Sequence, residues 1–222
     1  MIIFLIITQF SVGETLFYKV KYGPFTAGTL ILSVEKPTTI QGETCYHFTS
    51  TLSYRFLFFS GKDRLDSYVR ARDFATLRSE KYISESNYSK ELFCNFNYDK
   101  GVALYSDGTQ VKIESQTRDL LTLWYYFRTL NLKRGDTVRV INHTDKKTYH
   151  LKIVVGEEGS VTTPLGKFEC FIIRPGAKGS LGKMKGFSVY LSKGKNRLPV
   201  IIKTKMVLGY ITAELYRVCS TP

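Results

Sequence analysis

Apolar and polar residues alternate with period two over most of this chain, the signature of half-buried β-strands. Thr15 to Tyr22 is one such run and stops at Gly23-Pro24; Phe25 to Val34 follows, ahead of Pro37. An aromatic run from Cys45 to Phe59 closes at Gly61, and Leu92 to Tyr98 turns at Asp99-Lys100-Gly101. Val102 to Tyr105 and Val111 to Ile113 flank Asp107-Gly108, a strong hairpin signal. Thr137 to Ile141 and Thr148 to Val155 bracket a second hairpin, whose tip is expected at Asn142 to Lys147. Further β-rich runs bring the total to roughly a dozen strands, with Gly, Asp and Pro turns between them. Gly28, inside a strand, predicts a bulge or a close backbone approach.

One stretch breaks this rhythm. From Thr117 to Leu130, the residues Leu120, Leu123, Trp124, Phe127 and Leu130 recur at three- and four-residue spacing, which predicts a helix. Thr117 is the expected N-cap, with Asp119 in the first turn, where the helix dipole favours an anion. Leu121, Tyr125 and Tyr126 leave little polar surface, so the helix should be enclosed. Lys133-Arg134-Gly135-Asp136 then supplies a turn. The expectation is a mainly β protein: one curved antiparallel sheet or half-open barrel with a single enclosed apolar helix at about 117–130.

Composition supports one sizeable core. The chain has 222 residues, 43% hydrophobic and 14% aromatic, with 15 Tyr and 15 Phe, as suits packing on a pleated surface. No linker or repeat divides it. The N-terminus reads differently: Met1 to Ile7 is apolar, and Ser11 and Gly13 are small residues at positions −3 and −1 of a cut before Glu14. Residues 1–13 are therefore read as a secretory signal segment and 14–222 as a single β-rich domain; a buried first strand is the alternative. The run is too short to span a bilayer as a helix.

The net charge of +13 favours anionic partners, such as lipid head groups or envelope polymers, over neutral ones. Lys178, Lys183, Lys185, Lys193, Lys195 and Arg197 form a candidate basic patch on two neighbouring loops; a solvated sheet edge is the plainer reading. Cys45, Cys94, Cys170 and Cys219 are well separated, without the CxxC spacing of zinc or redox sites. They read either as two disulfides or as buried thiols. His47, His143 and His150 show no metal-ligand spacing, and no GxSxG elbow is present. Asp63, Asp66, Asp73, Glu80 and Glu85 stand among Arg64, Arg70, Arg72 and Arg78, which suits cross-strand ion pairs better than a catalytic carboxylate pair. No cofactor, catalytic residue or metal site is implied, and nucleic acid is not an expected partner.

Three motifs in order carry a resemblance: Tyr22-Gly23-Pro24-Phe25-Thr26-Ala27-Gly28 between two strands; the helix from Arg118-Asp119 to Phe127-Arg128; and Arg197-Leu198-Pro199-Val200 followed by Gly209-Tyr210-Ile211. With Asp66-Ser67-Tyr68-Val69 between the first two, they resemble a family of bacterial exported proteins termed domain of unknown function 3108. The resemblance implies an envelope, periplasmic location and a strongly curved sheet in the manner of lipoprotein-carrier half-barrels. It implies no catalytic residue. The aromatic surplus then suggests a lipid or lipoprotein acyl chain as ligand, with Trp124, Tyr125, Phe127, Phe56 and Phe58 as candidate contacts. Asp119, Arg128, Gly28 and Pro199 are read as structural, Arg128 reaching the helix-dipole end or a sheet carboxylate. The alternatives are a scaffold on an anionic envelope surface and a hydrolase with an unrecognised site.

Overall fold

A computed structural model describes residues 9–56, 59–86, 88–175, 186–205 and 209–220. The strands are β1 (Thr15–Tyr22), β2 (Phe25–Ile40), β3 (Glu43–Phe56), β4 (Phe59–Arg70), β5 (Thr76–Glu85), β6 (Tyr88–Asn97), β7 (Val102–Tyr105) and β8 (Gln110–Lys112). The helix α1 (Leu120–Thr129) follows, then β9 (Thr137–Thr144), β10 (Lys147–Thr163), β11 (Gly166–Pro175), β12 (Ser188–Ser192), β13 (Pro199–Lys205) and β14 (Tyr210–Cys219).

All fourteen strands form one antiparallel sheet in the order β8-β7-β6-β5-β4-β3-β2-β1-β14-β13-β12-β11-β10-β9. It consists of two meanders, β1 to β8 and β9 to β14, joined where β1 pairs with β14. The sheet is mainly β as expected, strongly curved and not closed by a ladder. Its two edges, β8 and β9, are consecutive strands in the chain, and α1 is the connection between them. That connection drops into the concave face and packs on β3, β4 and β9.

The helix begins later than the sequence pattern suggests. Asp119, not Thr117, is the N-cap: its Oδ1 accepts from the Thr122 amide at 2.7 Å. Thr117 is already occupied, donating its hydroxyl to Glu114 O and accepting from the Glu114 amide. Arg118 is held extended by a parallel bridge to Asn142 of β9. Those two residues are therefore pinned before the helix can start.

The helix divides the interior into two cores. On one side Tyr125 meets Leu16, Tyr18, Leu32, Val34, Phe48 and Leu215; on the other Leu123 meets Val140, Leu151, Ile153, Phe171 and Leu191. A third, smaller core of Cys94, Phe96, Ala103, Tyr105 and Ile113 lies at the β6–β8 end. Phe10, inside the expected signal segment, is buried edge-on against Tyr46, Phe48 and Tyr125. Gly28 is a close approach, as expected: a Cβ there would lie 2.2 Å from Ser53 O, and β1 shifts register opposite it.

The second hairpin is tighter than its sequence suggests. Its tip is only Asp145-Lys146, both at positive φ (48° and 61°), as a two-residue turn between twisted strands requires. Asn142 and His143 are thus strand residues, not tip residues.

Candidate functional site: two joined cavities on the concave face

The interior is not filled. A cavity of about 790 Å³ lies between α1 and the centre of the sheet, lined by Val20, Leu30, Leu52, Ile202, Ile211 and Ala213, with Ala27 and Trp124. Its lining is apolar because these strand positions alternate inward. Tyr22, Ser50, Tyr54, Asp63, Lys81 and Thr204 supply its polar groups. Burial, then the nearby Glu85 charge, push the Asp63 carboxyl upward, while Lys81 opposes.

A second cavity, of about 680 Å³, is more polar. Ser67, Ser79 and Lys81 reach it from β4 and β5, and Asn142, Lys147 and Tyr149 from the β9–β10 hairpin. Leu65, Lys81 and Phe187 border both cavities, so the two are lobes of one interior. Lys81 donates to Asp145 at 3.1 Å. Asp119 lines the polar lobe but is fully engaged: Ser67 Oγ donates to its Oδ2 at 2.6 Å. Burial raises its carboxyl pKa, opposed by the hydrogen bonds from Ser67 and Thr122.

The outer face carries a different chemistry. Arg64 forks onto Asp66 at 2.6 and 2.8 Å, His47 Nε2 lies 2.8 Å from the same carboxylate, and Arg78 pairs with Glu80 at 2.7 Å. Burial works against the Asp66 charge, yet Arg64 and His47 hold its pKa down at about 2. These carboxylates are ion-paired, as expected, but Arg64 and Arg78 pair two residues along their own strands rather than across.

The profile of a family described as protein of unknown function (DUF3108) matches residues 18–216. The chain belongs to DUF3108. No curated protein matches the sequence. Among solved structures, a β-barrel-like protein of domain of unknown function DUF1849 from Brucella abortus is 10% identical, with a TM-score of 0.61. That alignment covers 93% of this chain and 97% of the other, and establishes the shared fold. A Bacteroides fragilis protein with a YmcC-like fold, described as a candidate exported protein, aligns over 95% and 97% at 12% identity and a TM-score of 0.35.

In this DUF3108 chain the expected ligand contacts separate. Trp124 lines the apolar lobe, and Phe127 lines a gap of about 40 Å³ beside Pro199, Leu151 and Ile153. Tyr125 lines none of these cavities: it stacks on Phe48 at 3.9 Å with 6° between the rings, and its side chain is buried in core. Phe58 and the side chain of Phe56 lie outside the described residues. Of the basic patch, Lys178, Lys183 and Lys185 also lie outside them. Lys193 pairs with Glu158 at 2.5 Å, Arg197 stands over the Phe171 ring, and Lys195 is exposed.

Arg128 is buried and finds its carboxylate in Glu14, just ahead of β1, at 2.6 and 2.9 Å; it also donates to Gln9 O and Asn196 O. The four cysteines are free thiols, three buried and Cys219 exposed. No disulfide links them, because they stand on β3, β6, β11 and β14, no two of which are neighbours in the sheet. Burial pushes Cys94 up to about 12, which leaves it an inert thiol.

His150 pairs with exposed Glu114, and His143 contacts Tyr105 and Thr148. Among the described residues, no group of three His, Cys, Asp or Glu is arranged for a metal ion. Sequence reasoning missed Leu65, Lys81, Asn142 and Phe187. The inward alternation of β4 and β5 could have found Leu65 and Lys81; Asn142 was hidden by the misplaced hairpin tip.

Proposed function

We propose that this DUF3108 protein binds the acyl chain of an amphipathic lipid or lipoprotein in its apolar lobe. The observation that carries the reading is the 790 Å³ cavity walled by aliphatic side chains of six strands and by Trp124. Its volume falls within the roughly 300–1,000 Å³ of small-molecule sites. Each methylene moved there from water contributes about 0.8 kcal/mol, so a chain of about ten would supply roughly 8 kcal/mol before the costs of association. The same reading places the work in the cell envelope, with the N-terminal apolar run as export signal and the basic surface of the chain facing anionic lipid.

Native mass spectrometry of detergent-free protein, followed by organic extraction, is the direct test. A bound lipid is expected. Ala27→Phe should fill the lobe from its partly open side and weaken binding of a fluorescent fatty acid at least about tenfold, with the unfolding midpoint nearly unchanged. Equal binding by the variant, or protein that is empty and takes up no probe, would overturn the reading. Location is tested by intact mass: envelope fractions should contain the chain cut before Glu14, and full-length chain confined to the cytosol would refute export.

A further inference from the structure

Among the described residues, the polar lobe contains one buried group that the protein leaves unanswered. Asn142 has no exposed surface, and its Nδ2 donates to Arg118 O at 3.0 Å. A carbonyl can only accept, so that bond fixes the amide and makes Oδ1 the remaining acceptor. Oδ1 has no partner. Buried amide oxygens rarely stay unpaired, because each lost hydrogen bond leaves the desolvation cost standing. Two neighbouring buried polar groups of the lobe are satisfied: Asp119 by Ser67 and Thr122, Tyr105 by His143 and the Lys146 amide. Lys147 lines the same lobe and forms no ion pair among the described residues, while Lys81 stands at the junction with the apolar lobe.

From this arrangement we infer that the polar lobe is a head-group subsite, selective for an amphiphile whose head carries a hydrogen-bond donor beside an anionic group. This rests on the acyl-chain reading above. The chain lies in the apolar lobe and passes Leu65 and Phe187. The head donates an ammonium, amide or hydroxyl hydrogen to Asn142 Oδ1, and its anionic group lies near Lys81 and Lys147. A fully methylated head offers Oδ1 nothing and leaves it buried and unpaired.

A matched pair of probes isolates the donor: dodecylphosphoethanolamine and dodecylphosphocholine share chain, phosphate and net charge. Their affinities are measured calorimetrically below the micellar concentration, with wild type, Asn142→Leu and Lys147→Ala. Wild type should prefer the ethanolamine by about tenfold, the scale of one buried acceptor left unpaired. Asn142→Leu should bind both alike, whereas a steric objection to the choline methyls would persist in it. Lys147→Ala should weaken both probes equally and keep the preference. Equal binding of the two probes by wild type overturns the subsite and leaves the chain-binding reading standing. Binding of neither overturns the chain-binding reading itself. The wild-type comparison needs no variant to fold.

Discussion

Arg128 is the side chain on which burial places the heaviest demand. It is 1% exposed, yet it carries a charge in the same interior as Tyr18, Phe10 and Tyr125. The bidentate bond to Glu14 and the Asn196 carbonyl are retained by a chain cut before Glu14, and the Gln9 carbonyl adds to them while residues 1–13 remain; that is why the ion is tolerated there. Removing one partner of such a pair strands the other charge in low dielectric. Arg128→Ala should therefore cost about 3–5 kcal/mol of unfolding free energy, whereas Arg128→Met with Glu14→Gln should recover most of it. Urea denaturation of the single and double variants measures both. A double variant as unstable as the single would show that the loss is one of packing, not of charge.

At the scale of the element, α1 is held to the sheet by polar pins as much as by its apolar face. Asp119 caps it and takes the Ser67 hydroxyl, its amide donates to Thr76 Oγ1, and Thr76 and Thr122 share a hydroxyl hydrogen bond at 2.9 Å. Asp119→Ala removes the cap and strands Ser67, so a loss of about 2 kcal/mol is expected. Asp119→Asn keeps an acceptor for Thr122 and faces a hydroxyl that can turn, so it should stay within about 1 kcal/mol of wild type. Thermal or chemical unfolding distinguishes the two. The helix itself was legible because leucines and aromatics at three- and four-residue spacing have no strand reading. Its start was not, since the Thr117 carbonyl is claimed by Thr76 and Tyr98 and Arg118 by β9, tertiary contacts that local pattern does not encode. The strands were legible from alternation and turn residues. The cavity was not: Trp124 and Tyr125 are adjacent aromatics of similar bulk, and only the placement of Phe48 opposite one of them makes it core and leaves the other facing space.

For the whole molecule the decisive feature is how the two sheet edges meet. His143 is next to Asn142 on β9 and so points to the opposite face of the strand, yet it is only 2% exposed. Phe96 and Tyr105 from the other meander cover it, so the β6–β8 end laps over the outside of β9 rather than pairing with it. The seam is a chain of hydrogen bonds with one consistent proton assignment. The Lys146 amide donates to the Tyr105 oxygen, and the Tyr105 hydroxyl donates to His143 Nε2 at 2.7 Å. His143 Nδ1 donates to Thr148 Oγ1 at 2.9 Å, and that hydroxyl donates to Lys112 O. The imidazole is neutral in this chain, and burial lowers its pKa to about 4. The titratable groups against it are Tyr105 and, through Tyr105, Cys94; burial pushes both upward, so neither offers a compensating negative charge. Between pH 6.5 and 4 the unfolded chain therefore binds a proton at this histidine that the folded chain refuses. Stability is fully present above the ordinary histidine pKa and is lost as pH falls through that window, by a total on the order of 3 kcal/mol. Asp66 does not blur the window, because its own loss runs from its unfolded pKa of 3.8 down to its folded value of about 2. Unfolding free energies measured from pH 7 to pH 4 should show this slope, and His143→Gln, which keeps a donor and an acceptor at the seam, should flatten it. An unchanged slope in that variant would mean that the acid sensitivity arises elsewhere and that the overlap of the two edges does not depend on a neutral His143.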